Sequence, residues 1–471
     1  MKPTLTIIGA GLGGCCLASR LYQYFDITLI ELSSGSMPLS GRILDVGYGG
    51  HTFPLAESGL GGTTRVWHNA LMEIDEQSFN LHWPYDKAEL IPYYELAYML
   101  LAGISRKKIH EYAKSLKSKL EKMHVPPSLL SHNMFIPKKR INAWSHLSLS
   151  GCVRLIEGEA LDLNSNGLDS IDSISVKIDS GNIINIKSQF FVLSAGGLGT
   201  PILLQKLNQS LDKFSLSNAG FNYQDHPMAF VGEVELKSPL YKLWNWPLKE
   251  KKINASLRIP LSFFYKGLNF SFQLRPAHHF RLSKPRLKLN GIINELRNSP
   301  FNLKNYIYLF KNLNELLEIL SFKFGLRMPT KRYSMLMIAE QPSCKKNSLE
   351  RGGEDGVICR NWRIDPEFLE CANGAVDKFL EDINPLIVGY NKYYDWEREI
   401  FSSAHHSGMA RLSKDENSGV CDKNGKVHGV KNLFVCDASA IPNSGYVNTG
   451  LTIAALSLKM ADYLNSFSNC R

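Results

Sequence analysis

The chain has 471 residues, 44% of them hydrophobic and 21% charged, with 54 Lys and Arg against 44 Asp and Glu. These values describe a folded chain of about two domains and exclude a disordered or collagen-like one. No run of about 18 apolar residues occurs, so no transmembrane helix is expected, and the nine cysteines show neither metal-ligand spacing nor a paired framework.

Residues 4–8 are an apolar run that ends at Gly9 and predict a buried parallel strand. Residues 13–24 predict the helix that follows, and 27–31 (ITLIE) a second strand ending in an acid. The apolar run leads straight into the glycine loop, so it reads as structure rather than a cleaved leader, and a cytoplasmic protein is expected. Cys15 and Cys16 read as buried thiols in the first helix. The stretch 34–65 is rich in Gly, Ser, Pro and Thr and predicts a long ordered loop over a ligand. Residues 86–102 have helical spacing, with Leu90, Tyr93, Tyr94, Ala97 and Leu101 on one face. Alternation across 152–192 predicts a meander that returns to the first sheet, and strand-like runs recur through 228–290. Residues 301–326 have helical period, with Leu303, Ile307, Phe310, Leu313, Leu317, Leu320 and Phe324 on the apolar face. A strand is predicted at 332–341, a helix at 365–390, a strand at 432–439 and a helix at 449–464.

Charge is concentrated. From Lys237 to Arg332 there are 19 Lys and Arg against 4 Asp and Glu, which leaves the remainder slightly acidic. One reading is a solvated face on a substrate domain. The other is a surface that attracts anionic lipid or a phosphorylated substrate. No nucleic-acid partner is expected.

Two regions carry chemistry. Gly9, Gly11 and Gly14 have the spacing of a dinucleotide loop, in which the first permits a tight turn, the second lets backbone approach a pyrophosphate, and the third lets helix meet strand. Glu31, 22 residues after Gly9, is placed to accept from ribose hydroxyls. That acid disfavours a 2′-phosphate but does not separate FAD from NAD. At the other end, HHSGMAR at 405–411 supplies His405, whose neutral imidazole suits a general base; structural histidines or metal ligands are the alternatives. Adjacent loop histidines diverge, so no metal site is expected. Asn448 lies before a helix and reads equally as a cap or a functional amide. Asp437 ends a strand where an open sheet presents ligands, although it too could cap a helix.

Five blocks resemble the glucose–methanol–choline (GMC) oxidoreductases across nearly the whole chain. They are GAGLGG with Glu31, ESGLGGTTRVWHNAL at 57–71, HWPYDKAELIPYYELA at 82–97, SAGGLGTPILL with the downstream NYQDHP, and the tail from Gly425 to Leu464. The resemblance implies an α/β fold: a Rossmann-like FAD-binding domain built from 1–100, 150–227 and 401–471, with an inserted α+β substrate domain, containing an antiparallel sheet, at 101–149 and 228–400. It implies FAD, with Gly9, Gly11, Gly14 and Glu31 on the ADP half. Gly61, Gly62 and Thr63 would lie against the pyrophosphate or isoalloxazine, and Asp437 and Ala438 against the ribityl–pyrophosphate part. Val66 stands where some members attach flavin through histidine, so non-covalent FAD is expected. His405 and Asn448 fall at the family's catalytic positions. Met409, Leu412 and Thr449 depart from its usual Thr, Met and Pro.

The activity so implied is oxidation of a CH–OH group, of a sugar, polyol or cyclic alcohol, by hydride transfer to flavin with His405 as base. Oxygen, a quinone or another protein would reoxidise the flavin. The alternatives are a flavoenzyme of another reaction type and a flavin-stabilised binding protein. The 301–326 helix would either pack as a lid or, with the basic excess of 237–332, contact the inner face of a membrane.

Overall fold

The computed structural model describes the chain apart from residues 34–41, 48–55, 166, 168, 212, 239–245, 251–252, 278–282, 312, 314–316, 318–330, 353–356 and 469–471. Its fold is mixed α/β. The run Thr4–Ile8 and the run Asp26–Glu31 are mostly buried and pair in parallel, joined by the helix Leu12–Leu21. This unit is the centre of a seven-stranded sheet. On one side stand Phe190–Leu193 and then Leu433–Val435, both parallel. On the other stands the long strand Arg154–Ser165. Its first residues pair in parallel with Thr28–Glu31, and its remainder pairs antiparallel with Ile171–Ile178, which carries Ile183–Lys187 as the edge. The expected meander therefore does return to the first sheet.

A six-stranded antiparallel sheet forms the second layer, in the order Leu261–Tyr265, Leu268–Pro276, Arg332–Ala339, Pro227–Leu236, Ile387–Lys392, with Phe401–Ser402 paired to Pro227–Met228. The strand Leu268–Pro276 alternates. Phe270, Phe272 and Leu274 are buried under the helix Pro366–Ile383, with Phe272 stacked on Phe379 at 4.2 Å between ring centroids. Asn269, Ser271, Gln273 and Arg275 point the other way. Burial of these aromatic faces is the main stabilising term for such a layer.

Several elements depart from their expected bounds. The helix expected over 365–390 stops at Ile383, because Pro385 removes an N–H donor and Ile387 and Val388 favour the strand that follows. Lys284–Asn298, within a stretch read as strands, is a helix with Pro285 in its first turn. Within 34–65, Ile43–Gly47 is a strand, parallel to Ile358–Trp362. The helix Arg106–Glu121 has no counterpart in the sequence reading. Of the 301–326 segment, Leu303–Lys311 is helical; residues 312, 314–316 and 318–326 lie outside the described residues. Among the described residues no helix is long and apolar enough to cross a membrane.

Candidate active site

The glycine loop divides its work. Gly9 has φ 106° and its N–H donates to Ile30 O at 2.8 Å. A Cβ there would lie 2.2 Å from Ser194 O, and one on Gly14 would lie 2.1 Å from Gly9 O, so both positions serve close packing. A Cβ on Gly11 would meet nothing within 4 Å. The helix Leu12–Leu21, whose N-cap is Gly11, has no side-chain cap, so no capping side chain takes up its first N–H groups.

Glu31 is buried. Its carboxylate accepts Ala10 N–H at 2.5 Å and Gly59 N–H at 2.9 Å, clasping the glycine loop to the 56–65 turn. Burial raises its pKa, against the pull of the backbone donors Ala10, Gly59 and Leu32. Gly61 and Gly62 both have positive φ (94° and 50°). Gly61 N–H donates to Ala10 O at 2.9 Å, and a Cβ on Gly62 would stand 3.1 Å from Gly11 Cα. The turn thus lies against the glycine loop. Thr63 is exposed. Its neighbour Thr64 is buried and holds the turn, donating to Gly61 O and accepting from Ala143 N.

Asp437 caps the short 3₁₀ helix Ala438–Ala440. One of its oxygens accepts Ser439 N–H and Oγ; the other accepts Gly196 N–H at 2.9 Å and Thr200 Oγ1 at 2.5 Å. It ties the strand end to the helix Gly196–Leu211. Ala438 is half-buried beside it.

His405 and Asn448 meet. The Asn448 amide donates to His405 Nε2 at 3.1 Å across 43 residues. Asn448 is therefore not acting as a cap: the helix Gly450–Ser468 begins beyond it, with Ile453 N–H bonded to Thr449 O. His405 Nδ1 has no hydrogen-bond partner among the described residues. The ring is half-buried and stands edge-on to His226 at 5.0 Å. Burial first, then the His226 imidazole, lower its pKa to about 3, so it is neutral at neutral pH. His406 diverges as expected, and its Nδ1 bonds Tyr223 OH at 2.8 Å. Among the described residues no group of three His, Cys, Asp or Glu is arranged for a metal.

Asp225, part of NYQDHP but given no role from sequence, organises this loop. It accepts from the hydroxyls of Ser402, Ser403 and Tyr223 and from the backbone N–H groups of His226 and His405. Burial alone would raise its pKa, but His406 and the two serine hydroxyls outweigh it and hold the carboxyl well below the usual range. Behind it, buried Arg360 donates to Tyr223 OH at 3.2 Å and pairs with Asp45 at 2.7 Å. A second buried network lies under residues 443–448. Glu340 accepts from Asn443 Nδ2 at 2.6 Å and Asn269 Nδ2 at 2.8 Å, and Asn269 reaches Ser78 and Asp75. No local pattern marks Glu340, since its partners are distant in sequence.

The two chain ends are joined at this point. A Cβ on Gly450 would strike Trp67 at 2.4 Å and lie 3.5 Å from Leu12 Cδ2. One on Gly13 would reach Cys436 O at 2.0 Å, and one on Gly197 would reach His406 O at 2.2 Å. The segment carrying His405 and Asn448 is also where a family model described as GMC oxidoreductase matches, at residues 384–457. The chain is 32% identical over 94 residues to the long-chain-alcohol oxidase FAO3 of Arabidopsis thaliana, 19% of this chain and 12% of that one. It is 44% identical over 59 residues to the 5-(hydroxymethyl)furfural oxidase of Methylovorus sp. (strain MP688), 12% of this chain and 11% of that one. The match thus spans about a tenth of the length of these curated relatives. An FAD-dependent oxidoreductase from Chaetomium thermophilum shares the fold, with TM-score 0.61 at 15% identity and 99% of both chains covered.

Proposed function

We propose that the protein is an FAD-dependent oxidoreductase acting on a CH–OH group, with His405 as proton acceptor and Asn448 as its partner. The observation that carries this is their 3.1 Å contact, just before a helix whose first residue packs on Leu12, next to the open Gly11. In this reading residues 1–100, 150–227 and 401–471 form a Rossmann-like FAD domain, and 101–149 and 228–400 the substrate domain. The residues fit the cofactor, because Gly11 leaves space where a pyrophosphate would approach uncapped helical N–H groups. Gly9, Gly11, Gly14 and Glu31 would hold the ADP half. Gly61, Gly62 and Thr63 would lie against the pyrophosphate or ring, and Asp437 and Ala438 against the ribityl–pyrophosphate part, with no covalent bond. When bound, FAD supplies a hydride acceptor.

His405 receives the hydroxyl proton, and Asn448 donates to the oxygen as negative charge develops there. A pKa of about 3 describes the ligand-free site. Developing negative charge beside the ring raises it toward the working pH, where a base is most effective. Replacing His405 with Ala should leave FAD bound and slow its anaerobic reduction by an alcohol about 10²–10⁴-fold. Unchanged reduction removes His405 from the role. The curated relatives are named as oxidases of a long-chain alcohol and of 5-(hydroxymethyl)furfural, which supports an alcohol of small-molecule size class, not a macromolecule, as substrate and oxygen, rather than a quinone or protein, as acceptor. Hydrogen peroxide released in step with turnover tests that choice.

A peripheral membrane contact is a second reading, supported by exposure. Phe301 is 97% exposed, Phe310 78% and Leu303 71%, with Lys304 and Lys311 exposed beside them. The helix is held from its other side, where Asn305 donates to Glu295 at 3.0 Å and Lys288 lies 4.9 Å over Tyr308. An apolar stripe flanked by lysines suits an anionic bilayer at the cytoplasmic face. Co-sedimentation at low salt with phosphatidylserine-containing vesicles, but not with phosphatidylcholine alone, is the expected result; no sedimentation with either ends the idea.

A further inference from the structure

His226 has no part in the proton transfer proposed above, yet it contacts the segments of both residues that carry it. The strands Phe401–Ser402 and Pro227–Leu236 pair antiparallel, with Ser402 opposite Pro227. Pairing resumes where Ser407 bridges Gln224, through backbone bonds of 3.0 Å in both directions. Residues 403–406 therefore bulge out opposite Asp225 and His226, and His405 sits in that bulge. Two backbone N–H groups meet on one oxygen of Asp225, that of His226 at 2.7 Å and that of His405 at 3.1 Å. The two imidazoles then stand edge-on, with 5.0 Å between ring centroids.

The far end of the His226 ring reaches the asparagine's segment. Its Nε2 lies 2.9 Å from Val447 O, across 221 residues of sequence. A carbonyl only accepts, so that nitrogen carries the proton. Val447 is fully buried and precedes the helix Gly450–Ser468, so its carbonyl needs a donor from inside the protein. The His226 side chain is buried too. Burial lowers its pKa, against the pull of Asp225 and of the Val447 and Gly445 carbonyls, so the ring is neutral at neutral pH. These contacts close a circuit. Asp225 fixes the His405 backbone, and His405 Nε2 accepts the Asn448 amide at 3.1 Å. Val447, the residue before Asn448, accepts from His226, and His226 returns to Asp225. A packing role would need only the bulk of His226. The circuit needs an N–H donor at the position of its Nε2.

We infer that His226 is a positioning residue: by donating to Val447 O it holds the Asn448 amide on His405 Nε2. The oxidation reading enters only through the consequence for rate, because the contact itself is readable without turnover. FAD-loaded full-length protein with isotopically labelled histidine rings is followed by NMR, where the ring-nitrogen shifts show which nitrogen carries the proton. Loss of signals in His405→Ala and in His226→Gln assigns the two rings. The parent should show His405 protonated at Nδ1, with Nε2 as acceptor. His226→Leu, which keeps bulk and removes the donor, should lose that single tautomer, as Asn448→Ala should. His226→Gln, whose amide can reach Val447 O, should preserve it. Should His226→Leu fail to fold, His226→Asn, one bond too short to reach Val447 O, should lose it instead. Anaerobic bleaching by an alcohol adds a double-mutant cycle. His226→Leu should slow reduction up to about 100-fold, the cost of a displacement of about 1 Å. His226→Gln should stay within about threefold of the parent, since one neutral donor replaces another. In the Asn448→Ala background, His226→Leu should add nothing. A His405 tautomer unmoved by His226→Leu or His226→Asn, the same loss in Gln as in Leu, or full slowing in the Asn448→Ala background overturns the inference. A flavin that no alcohol bleaches, or bleaching unchanged in His405→Ala, overturns the oxidation reading alone, and the ring-nitrogen signals still decide this one.

Discussion

Asp225 and His405 show how one loop is held by a carboxylate that never needs to touch a ligand. Ala404, the residue before His405, has φ 60°, a left-handed conformation unfavourable for a residue with a Cβ. The donors gathered on Asp225 keep the chain in that shape and aim the next residue, His405, at Asn448. Asp225→Asn keeps the volume but turns one acceptor into a donor that faces hydroxyls and N–H groups. It should lower stability by about 3 kcal/mol or more, as loss of a buried charge partner does, and slow flavin reduction while FAD stays bound; calorimetry and anaerobic bleaching read the two effects. The titration of His405 adds a pH dependence of definite sign. Its folded pKa, about 3, lies below the ordinary histidine value, so the unfolded chain binds the proton first as pH falls. Stability should therefore rise with pH between about 3 and 6.5, and less steeply in His405→Asn. Asp225 works in the same direction but only below about pH 4, where the unfolded carboxyl protonates. Denaturant midpoints across pH separate the two.

At the scale of elements, the glycine loop makes the sharpest distinction between packing and binding. Gly14 faces backbone and Gly11 faces open space. Gly14→Ala should lower stability by about 3 kcal/mol through overpacking. Gly11→Ala, whose φ of −74° any residue adopts, should fold within about 1 kcal/mol of the parent and yet lose FAD affinity. Equal FAD affinity in Gly11→Ala would mean that the open side of the loop is not where the cofactor lies. This loop was legible from sequence because its signal is local: an apolar run, three glycines and an acid within about one strand–helix–strand unit. The helix Arg106–Glu121 was not legible, although Ser105 caps it and Ile109, Ala113, Leu116 and Leu120 form its buried stripe. Its dense lysines masked that stripe. The helix Pro366–Ile383 ends short of the expected 390 because the apolar run continues past Pro385 into a strand, and periodicity alone does not separate a helix from the strand that follows it. His405 and Asn448 could be named from sequence, whereas Glu340 could not, because what makes it matter is Asn443 and Asn269 arriving from remote parts of the chain.

For the molecule as a whole, the fold joins its first and last segments around one place. The final helix lies on the first, Leu433–Val435 extends the sheet that Thr4–Ile8 begins, and Asp437 holds the helix Gly196–Leu211 between them. A cofactor seated there would touch residues from 9 to 63 and from 437 to 448 at once, so it would stabilise the folded chain in proportion to the logarithm of its saturation. Free FAD at 100 times its dissociation constant should add about 2.7 kcal/mol, visible as a concentration-dependent melting temperature. Hydrogen exchange should locate the effect. Protection on FAD binding is expected in 9–14 and 59–65 and also in 436–450, although these segments are far apart in sequence. Protection confined to the glycine loop would mean that the two ends meet only through packing and share no ligand. A melting temperature indifferent to FAD would remove the cofactor, and with it the oxidation chemistry, from this site.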